Sequence, residues 1–268
     1  MNNNSNFTEF KSHDFYFLYL KREGANGRTG DKWHEHSFYE IMLIEEGESE
    51  YIIENRHYHA KKGDLLLVKP ATYHYKQRVL KNPTAVYCLG FLPEAIKNAG
   101  IAEKIFERCE HFSLSELSPI KEIFDAARKK LNISKSNASR FIKYIAEAII
   151  LLLCDVDINA DEPPKIKNAS VEKVLTYIKD NLCEIHKVSD ISNALFFSDS
   201  YVRTLFKREM NIGIMEYVRN KKVLLAYRKI RHGKKPTEIY AECGFSNYPS
   251  FYRAYKAYIG YSPNMQKI

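Results

Sequence analysis

Cysteine is scarce. The 268-residue chain has five, an odd number, scattered from Cys88 to Cys243 with no C-x-x-C pair. That pattern argues against a disulfide framework or a zinc knuckle and leaves buried free thiols. Long apolar runs are also missing. The longest lies within Ala148–Cys154, far short of the ~20 residues that cross a bilayer. The opening Met1-Asn2-Asn3-Asn4-Ser5-Asn6 has neither a basic segment nor an apolar core, so no export signal is read and a cytoplasmic location is expected. There is no low-complexity tract, no nucleotide-binding loop and no nucleophile–base spacing.

What is present divides unevenly. Residues 168–268 carry 17 Lys+Arg against 9 Asp+Glu, which is the whole net charge of +8, while residues 1–167 balance at 24 and 24. A polyanion is the natural partner for the basic part.

The secondary-structure pattern also changes along the chain. Tyr39–Ile44, Glu50–Ile53 and Asp64–Val68 are short segments rich in β-branched, leucine and aromatic residues. Turn signals at Glu46-Gly47-Glu48, Glu54-Asn55-Arg56 and Lys62-Gly63-Asp64 separate them, so residues 1–92 read as a β-sandwich or barrel. From residue 93 the period is helical. One helix is expected over Ser118–Leu131 and another over Asn137–Leu153. Polar, acidic residues 155–167 include Pro163-Pro164 and read as a linker.

Residues 168–268 read as all-helical. Val171, Val174, Leu175, Ile178 and Leu182 share one face of an opening helix. Ser189 is expected to cap a short helix through Leu195, and a tight turn follows at Phe196-Phe197. Ser198 then caps a helix over Asp199–Met210. Val202, Leu205 and Phe206 point inward there, and Ser200, Arg203, Thr204 and Lys207 outward, the polar, basic face that a major groove accepts. The pattern recurs. Pro236 opens a short helix, Gly244 supplies a turn with positive φ, and Ser246 caps a helix over Asn247–Ala257. Phe251, Tyr255 and Tyr258 form its inner stripe, and Tyr248, Tyr252, Arg253 and Lys256 face out. A long helix over Ile214–Arg231 joins the two units.

Two helix-turn-helix units with this connector resemble the AraC/XylS family of transcription regulators. The resemblance rests on Leu205-Phe206-Lys207, Cys243-Gly244-Phe245-Ser246-Asn247, Phe251-Tyr252-Arg253-Ala254-Tyr255-Lys256 and Gly260-Tyr261-Ser262-Pro263. The chain departs from the family pattern at Phe196, where Gly is usual, at Ser192 and Tyr240, where small apolar residues are usual, and at Lys222, where Arg is usual. The resemblance implies base readout by Ser200, Arg203, Thr204, Tyr248, Tyr252 and Arg253. It implies phosphate contacts by Lys207 and Lys256, which position the protein without specifying sequence.

The stretch His34-Glu35-His36-Ser37-Phe38-Tyr39-Glu40, followed by Gly47, resembles the first cupin motif, and Gly63 to His74 resembles the second. In cupin enzymes the residues matching His34, His36, Glu40 and His74 hold a divalent metal. In sensor domains joined to this kind of DNA-binding domain, the same positions bond an effector or one another, and both readings stay open. Trp33 and Tyr39 are expected to wall an effector pocket with these residues, and strand alternation is expected to turn His34, His36 and Glu40 to one face.

The sequence therefore predicts a multidomain chain. A cupin β-barrel or jelly roll is followed by dimerisation helices over 93–154, a linker, and an all-α domain with tandem helix-turn-helix motifs. The expected function is a bacterial DNA-binding regulator, not an enzyme. It would respond to a small molecule, carbohydrate favoured, bind promoter DNA, form a homodimer through Phe141, Ile145, Ile149 and Leu152 unless these are internal core, and contact RNA polymerase if it activates. The alternative is a metal-dependent cupin enzyme or metal sensor with an appended DNA-binding module.

Overall fold

In the computed structural model the described residues are 6–24, 34, 36–70, 72–97, 99–108, 110–113, 119–155, 165–231 and 233–264. They fall into two compact units that divide between Lys165 and Ile166. No helix among them is long and apolar enough to cross a membrane.

The first unit is built on an antiparallel sheet. Its strands are β1 (Phe7–Lys11), β2 (Phe15–Arg22), β3 (Tyr39–Ile53), β4 (Arg56–Lys61), β5 (Asp64–Val68), β6 (His74–Phe91) and β7 (His111–Ser113). Neighbours run in the order β1-β2-β6-β3-β4, with β5 paired to both β3 and β7. The turn expected at Glu46-Gly47-Glu48 is not a turn. β3 runs unbroken through it, and the register shifts there against β6, so Gly47 at φ +83° serves a bulge that bends one long strand. Glu54 at φ +53° does close the β3–β4 hairpin, as its turn signal predicts, whereas Gly63 at φ +92° turns the chain between β4 and β5, which pair one after the other with β3.

The two faces of this sheet do different work. One face, with Phe17, Ile41, Leu67, Tyr87 and Leu89, packs against α1 (Ala99–Arg108), α2 (Ile120–Ile133) and α3 (Ala138–Cys154). Each fully buried side chain of this size contributes ~1.5–3 kcal/mol. Tyr87 adds a polar anchor: its ring stacks on Phe124 at 5.2 Å and its hydroxyl donates to Asp125 Oδ1 at 2.5 Å. The other face gathers Met42, Ile44, Tyr51, Ile53, Tyr58, Leu66, Val68 and Cys88. Both halves of β3 contribute to that cluster, so the sheet folds back over its own inner face.

This division bears on the two readings of α3, internal core or dimer contact. Ile149 on α3 is fully buried in the helix-facing core, and Phe141, Ile145 and Leu152 pack partly against it. They stabilise the protomer itself. The large apolar side chains that α3 leaves exposed are Tyr144 and Leu151.

The second unit is helical: α4 (Ala169–Asn181), α5 (Val188–Ala194), α6 (Asp199–Met210), α7 (Ile214–Arg231), α8 (Pro236–Ile239) and α9 (Tyr248–Ile259). Val223, Ala226, Tyr227 and Ile230 of α7 meet Ile239, Cys243, Phe251 and Tyr255 in one core.

Candidate nucleic-acid interface and ligand pocket

In the first helix-turn-helix, α5 does not start on a Ser189 cap. Ser189 lies inside the helix, and the Asp190 carboxylate reaches back to accept from the backbone N–H of His186 at 2.7 Å and of Lys187 at 2.9 Å. A carboxylate near a helix start also suits the positive end of the helix dipole. The turn follows at Phe196, whose φ of +56° shows why its position favours glycine. Ser198 caps α6 by accepting from Tyr201 N–H at 3.2 Å. The Ser192 hydroxyl, where the family has a small apolar residue, donates to the Asp199 carboxylate and ties α5 to the start of α6.

Val202, Leu205, Phe206 and Met210 hold α6 down, while Ser200, Arg203, Thr204 and Lys207 are exposed on its outer face. Lys207 Nζ donates to the carbonyl of Asn211 at 3.1 Å, lying over the negative end of its own helix.

In the second unit the capping residue is Asn247, not Ser246. Its Oδ1 accepts from Ser250 N–H at 2.9 Å, and α9 begins one residue later than expected. Asn at this place offers a carbonyl already directed at the orphan donors of the first turn. Arg253 and Lys256 are exposed, whereas Tyr252 is half-buried. Tyr248 is less free than expected: its ring packs on Tyr240 at 5.8 Å and on Phe251 at 5.7 Å, and its hydroxyl donates to Asn264 Oδ1 at 3.3 Å. Among the described residues Arg203 and Arg253 have no ion-pair or hydrogen-bond partner, so both guanidinium forks are available to a base edge.

The start of α7 flanks both recognition helices. Arg203, Thr204, Lys207 and Arg208 share a groove with Gly213–Glu216, and Glu216, Arg219 and Asn220 share another with Ser250 and Arg253. The sequence reading missed Arg219. Its signal was the polar i, i+3, i+4 set Glu216, Arg219, Asn220 on a helix read only for its core stripe.

In the first unit His34, His36, Glu40 and His74 each place a ligand atom within 4.8 Å of the others. The path differs from the one expected. His34 pairs with His74 in an isolated bridge, the chain bends at Ser37 and Phe38, and β3 starts only at Tyr39. Tyr39 is not a pocket wall. It points to the opposite face from Glu40 and packs on Phe91 at 5.7 Å and Phe106 at 4.6 Å. Trp33 lies outside the described residues. Among the described residues Phe38 borders the cluster, its ring 6.2 Å from that of His36, and so does Tyr16, at 6.0 Å. The Tyr16 ring stands where a side chain on Gly90 would be, 1.8 Å from an ideal Cβ there, and the pKa of its phenol is raised by burial and then by the Glu40 charge.

The hydrogen bonds show which species this cluster prefers. His36 Nδ1 lies 3.1 Å from the carbonyl of Phe38, and His74 Nδ1 lies 2.8 Å from that of Thr72. A carbonyl can only accept, so both Nδ1 atoms carry the proton. Both Nε2 atoms then face Glu40 Oε2 at 3.0 Å, and His74 Nε2 has no aligned hydrogen-bond partner. With neutral imidazoles this sets lone pairs against a carboxylate, so the cluster favours a cation, either a proton on the imidazole or a metal ion. Burial alone would raise the Glu40 carboxyl, but the charge and hydrogen bond of His36, then the His74 imidazole 3.0 Å away, hold it well below the usual range. Burial works against the charged form of His36, yet Glu40 and the Phe38 carbonyl raise it above its usual value. Ring nitrogens anchored to carbonyls on the far side are also the usual support of metal-binding histidines, so the donor set fits a divalent ion.

Comparison with known proteins agrees with both units. Residues 15–152 match the AraC-like ligand binding domain, and residues 191–265 match a helix-turn-helix domain. The chain is similar to an uncharacterized HTH-type transcriptional regulator, YfiF, of Bacillus subtilis, at 26% identity over 87% of this chain and 77% of that protein. It is also similar to the Msm operon regulatory protein of Streptococcus mutans, at 24% identity over 84% of this chain and 82% of that one. Among solved structures it resembles the AraC-like transcriptional activator CuxR, at 16% identity and a TM-score of 0.40, over 83% of this chain and 80% of that chain. These families and relatives are transcription regulators, not enzymes.

Proposed function

Since the chain belongs to the AraC family of transcription regulators, we propose that α6 and α9 read successive major grooves of one promoter site and that the first unit senses a small polar molecule. Arg203 and Arg253 serve as the base-reading forks. Ser200, Thr204, Tyr248 and Tyr252 supplement them, and Lys207, Lys256 and Arg219 touch phosphates. The observation that carries the sensing role is the polar cluster of His34, His36, Glu40 and His74, with Tyr16 beside it, against an otherwise apolar inner face. Hydroxyl-rich ligands, carbohydrates first, suit carboxylate and imidazole partners beside an aromatic ring.

A second reading is favoured by the proton positions on His36 and His74: the same residues, with His34, hold a divalent metal as the sensed species or as part of the effector site. The ion would supply Lewis acidity and a fixed positive charge there. A homodimer, with Tyr144 and Leu151 of α3 on its contact face, a cytoplasmic location, and RNA polymerase as partner of an activator complete the reading.

A thermal-shift screen of the full chain against sugars and divalent metals, with and without chelator, tests it. A saturating ligand should stabilise the sensor unit by a few kcal/mol, ~2.7 at a hundredfold excess over Kd. A shift with one sugar, unchanged by chelator, supports the first reading, and a chelator-reversible shift with metal alone supports the second. No shift with any member of the panel contradicts both.

A further inference from the structure

Lys222 is the buried cation of the helical unit. It sits in the middle of α7 and is 4% exposed, beside Lys221, whose ammonium lies over the Tyr217 ring at 4.9 Å. The Lys222 side chain turns inward. Its Nζ donates to the carbonyl of Ile185 at 2.6 Å and to the carbonyl of Gly244 at 2.8 Å.

These carbonyls belong to different parts of the domain. Ile185 follows α4, the opening helix that packs on α5 and α6 of the first helix-turn-helix. Gly244 is the turn of the second. The two segments also touch directly, since a Cβ on Gly244 would stand 2.1 Å from the carbonyl oxygen of Cys183. One ammonium on the connecting helix thus gathers the loop behind the first unit and the turn of the second. Burying a charge without a carboxylate counter-ion is costly, and burial lowers the Lys222 pKa. An apolar residue of similar length would fill the space without that cost, but it could not hold two carbonyls at fixed positions. The ion pair from α7 to the second unit that lies on the surface, Lys229 with Glu242 at 2.6 Å, is half-open to solvent and contributes little to rigidity.

We propose that Lys222 is a positioning residue for DNA recognition: by bridging Ile185 and Gly244 it sets the angle of the second recognition helix relative to the first, so that both enter one composite site together. This rests on the reading that α6 and α9 bind one duplex. Pre-set geometry turns the second contact into an intramolecular event, and loosening it lowers the gain from having two half-sites without changing either half-site contact.

The test uses the full chain and a duplex recovered from a randomised pool by binding to the wild-type protein, together with the same duplex with either half scrambled. Wild type should bind the intact duplex far more tightly than the half-scrambled ones. Lys222→Met should reduce that preference on the order of tenfold while binding the half-scrambled duplexes as wild type does. Lys222→Arg, which keeps donors for both carbonyls, should restore the preference. If Lys222→Met does not fold by circular dichroism, Lys222→Gln, with one short donor, should show an intermediate preference. A uniform loss on all three duplexes, or an unchanged preference, overturns the clamp and leaves the composite site standing. A wild type indifferent to scrambling either half overturns both.

Discussion

The two helix-turn-helix units solve one backbone problem in different ways. Each turn needs a residue with positive φ, which Phe196 provides at +56° and Gly244 at +76°. A side chain at that angle costs about 1–2 kcal/mol, and the first unit accepts that cost. Phe196 is 95% exposed, so nothing else obstructs its side chain. The second unit cannot accept a side chain, because a Cβ on Gly244 would stand 2.1 Å from the Cys183 carbonyl oxygen and 2.7 Å from Lys222 Nζ. Close approach, more than the dihedral angle, is what requires glycine here.

The largest effect should therefore come from Gly244→Ala, which adds a backbone clash to the strain and should destabilise the domain by about 3 kcal/mol in urea unfolding. A loss below about 1 kcal/mol would show that the segment near Cys183 yields easily, and the contrast between the turns would fail. Next come the recognition arginines. Arg203→Ala and Arg253→Ala should each cost about 1–3 kcal/mol on the selected duplex and relax its base preference at one position. Equal losses on selected and random duplexes would move these residues to the phosphate class. Lys256→Ala should weaken all duplexes alike, by about 1 kcal/mol, and flatten the log–log salt dependence by about one unit. The smallest effect sharpens the comparison from the other side. Phe196→Gly removes the strain but loosens the unfolded chain, so unfolding should shift upward by at most about 1 kcal/mol. Destabilisation instead would mean that Phe196 makes a contact its exposure does not suggest.

The helical unit was largely legible in the sequence and the pocket only partly, for a physical reason. A helix with one buried stripe displays its period, so α6 runs over the expected residues and Ser198 caps it as expected; α7 also keeps its expected bounds, although it is buried on more than one side. Caps at α5 and α9 were misassigned because two candidates stand side by side at each start, Ser189 with Asp190 and Ser246 with Asn247, and all can accept from the first turn. The β unit offered no such period. Tyr39 to Ile44 are all buried, since helices cover one face of β3 and the inner cluster fills the other. A strand buried on both sides shows no alternation, so nothing local showed that Tyr39 faces the helices while Glu40 faces the pocket. For Ile149 two readings stayed open, because an apolar helix face reads alike whether it meets the sheet or a second chain. Tyr16 carries no motif and reaches Glu40 only through the pairing of β2 with β6 opposite Gly90.

The central claim is that both recognition helices read one composite site. Hydroxyl-radical footprinting of the full chain on its selected duplex tests it most directly. The account predicts two protected patches on one face of the duplex, centred about 10–10.5 base pairs apart. A single protected patch, or two patches on opposite faces, would contradict it.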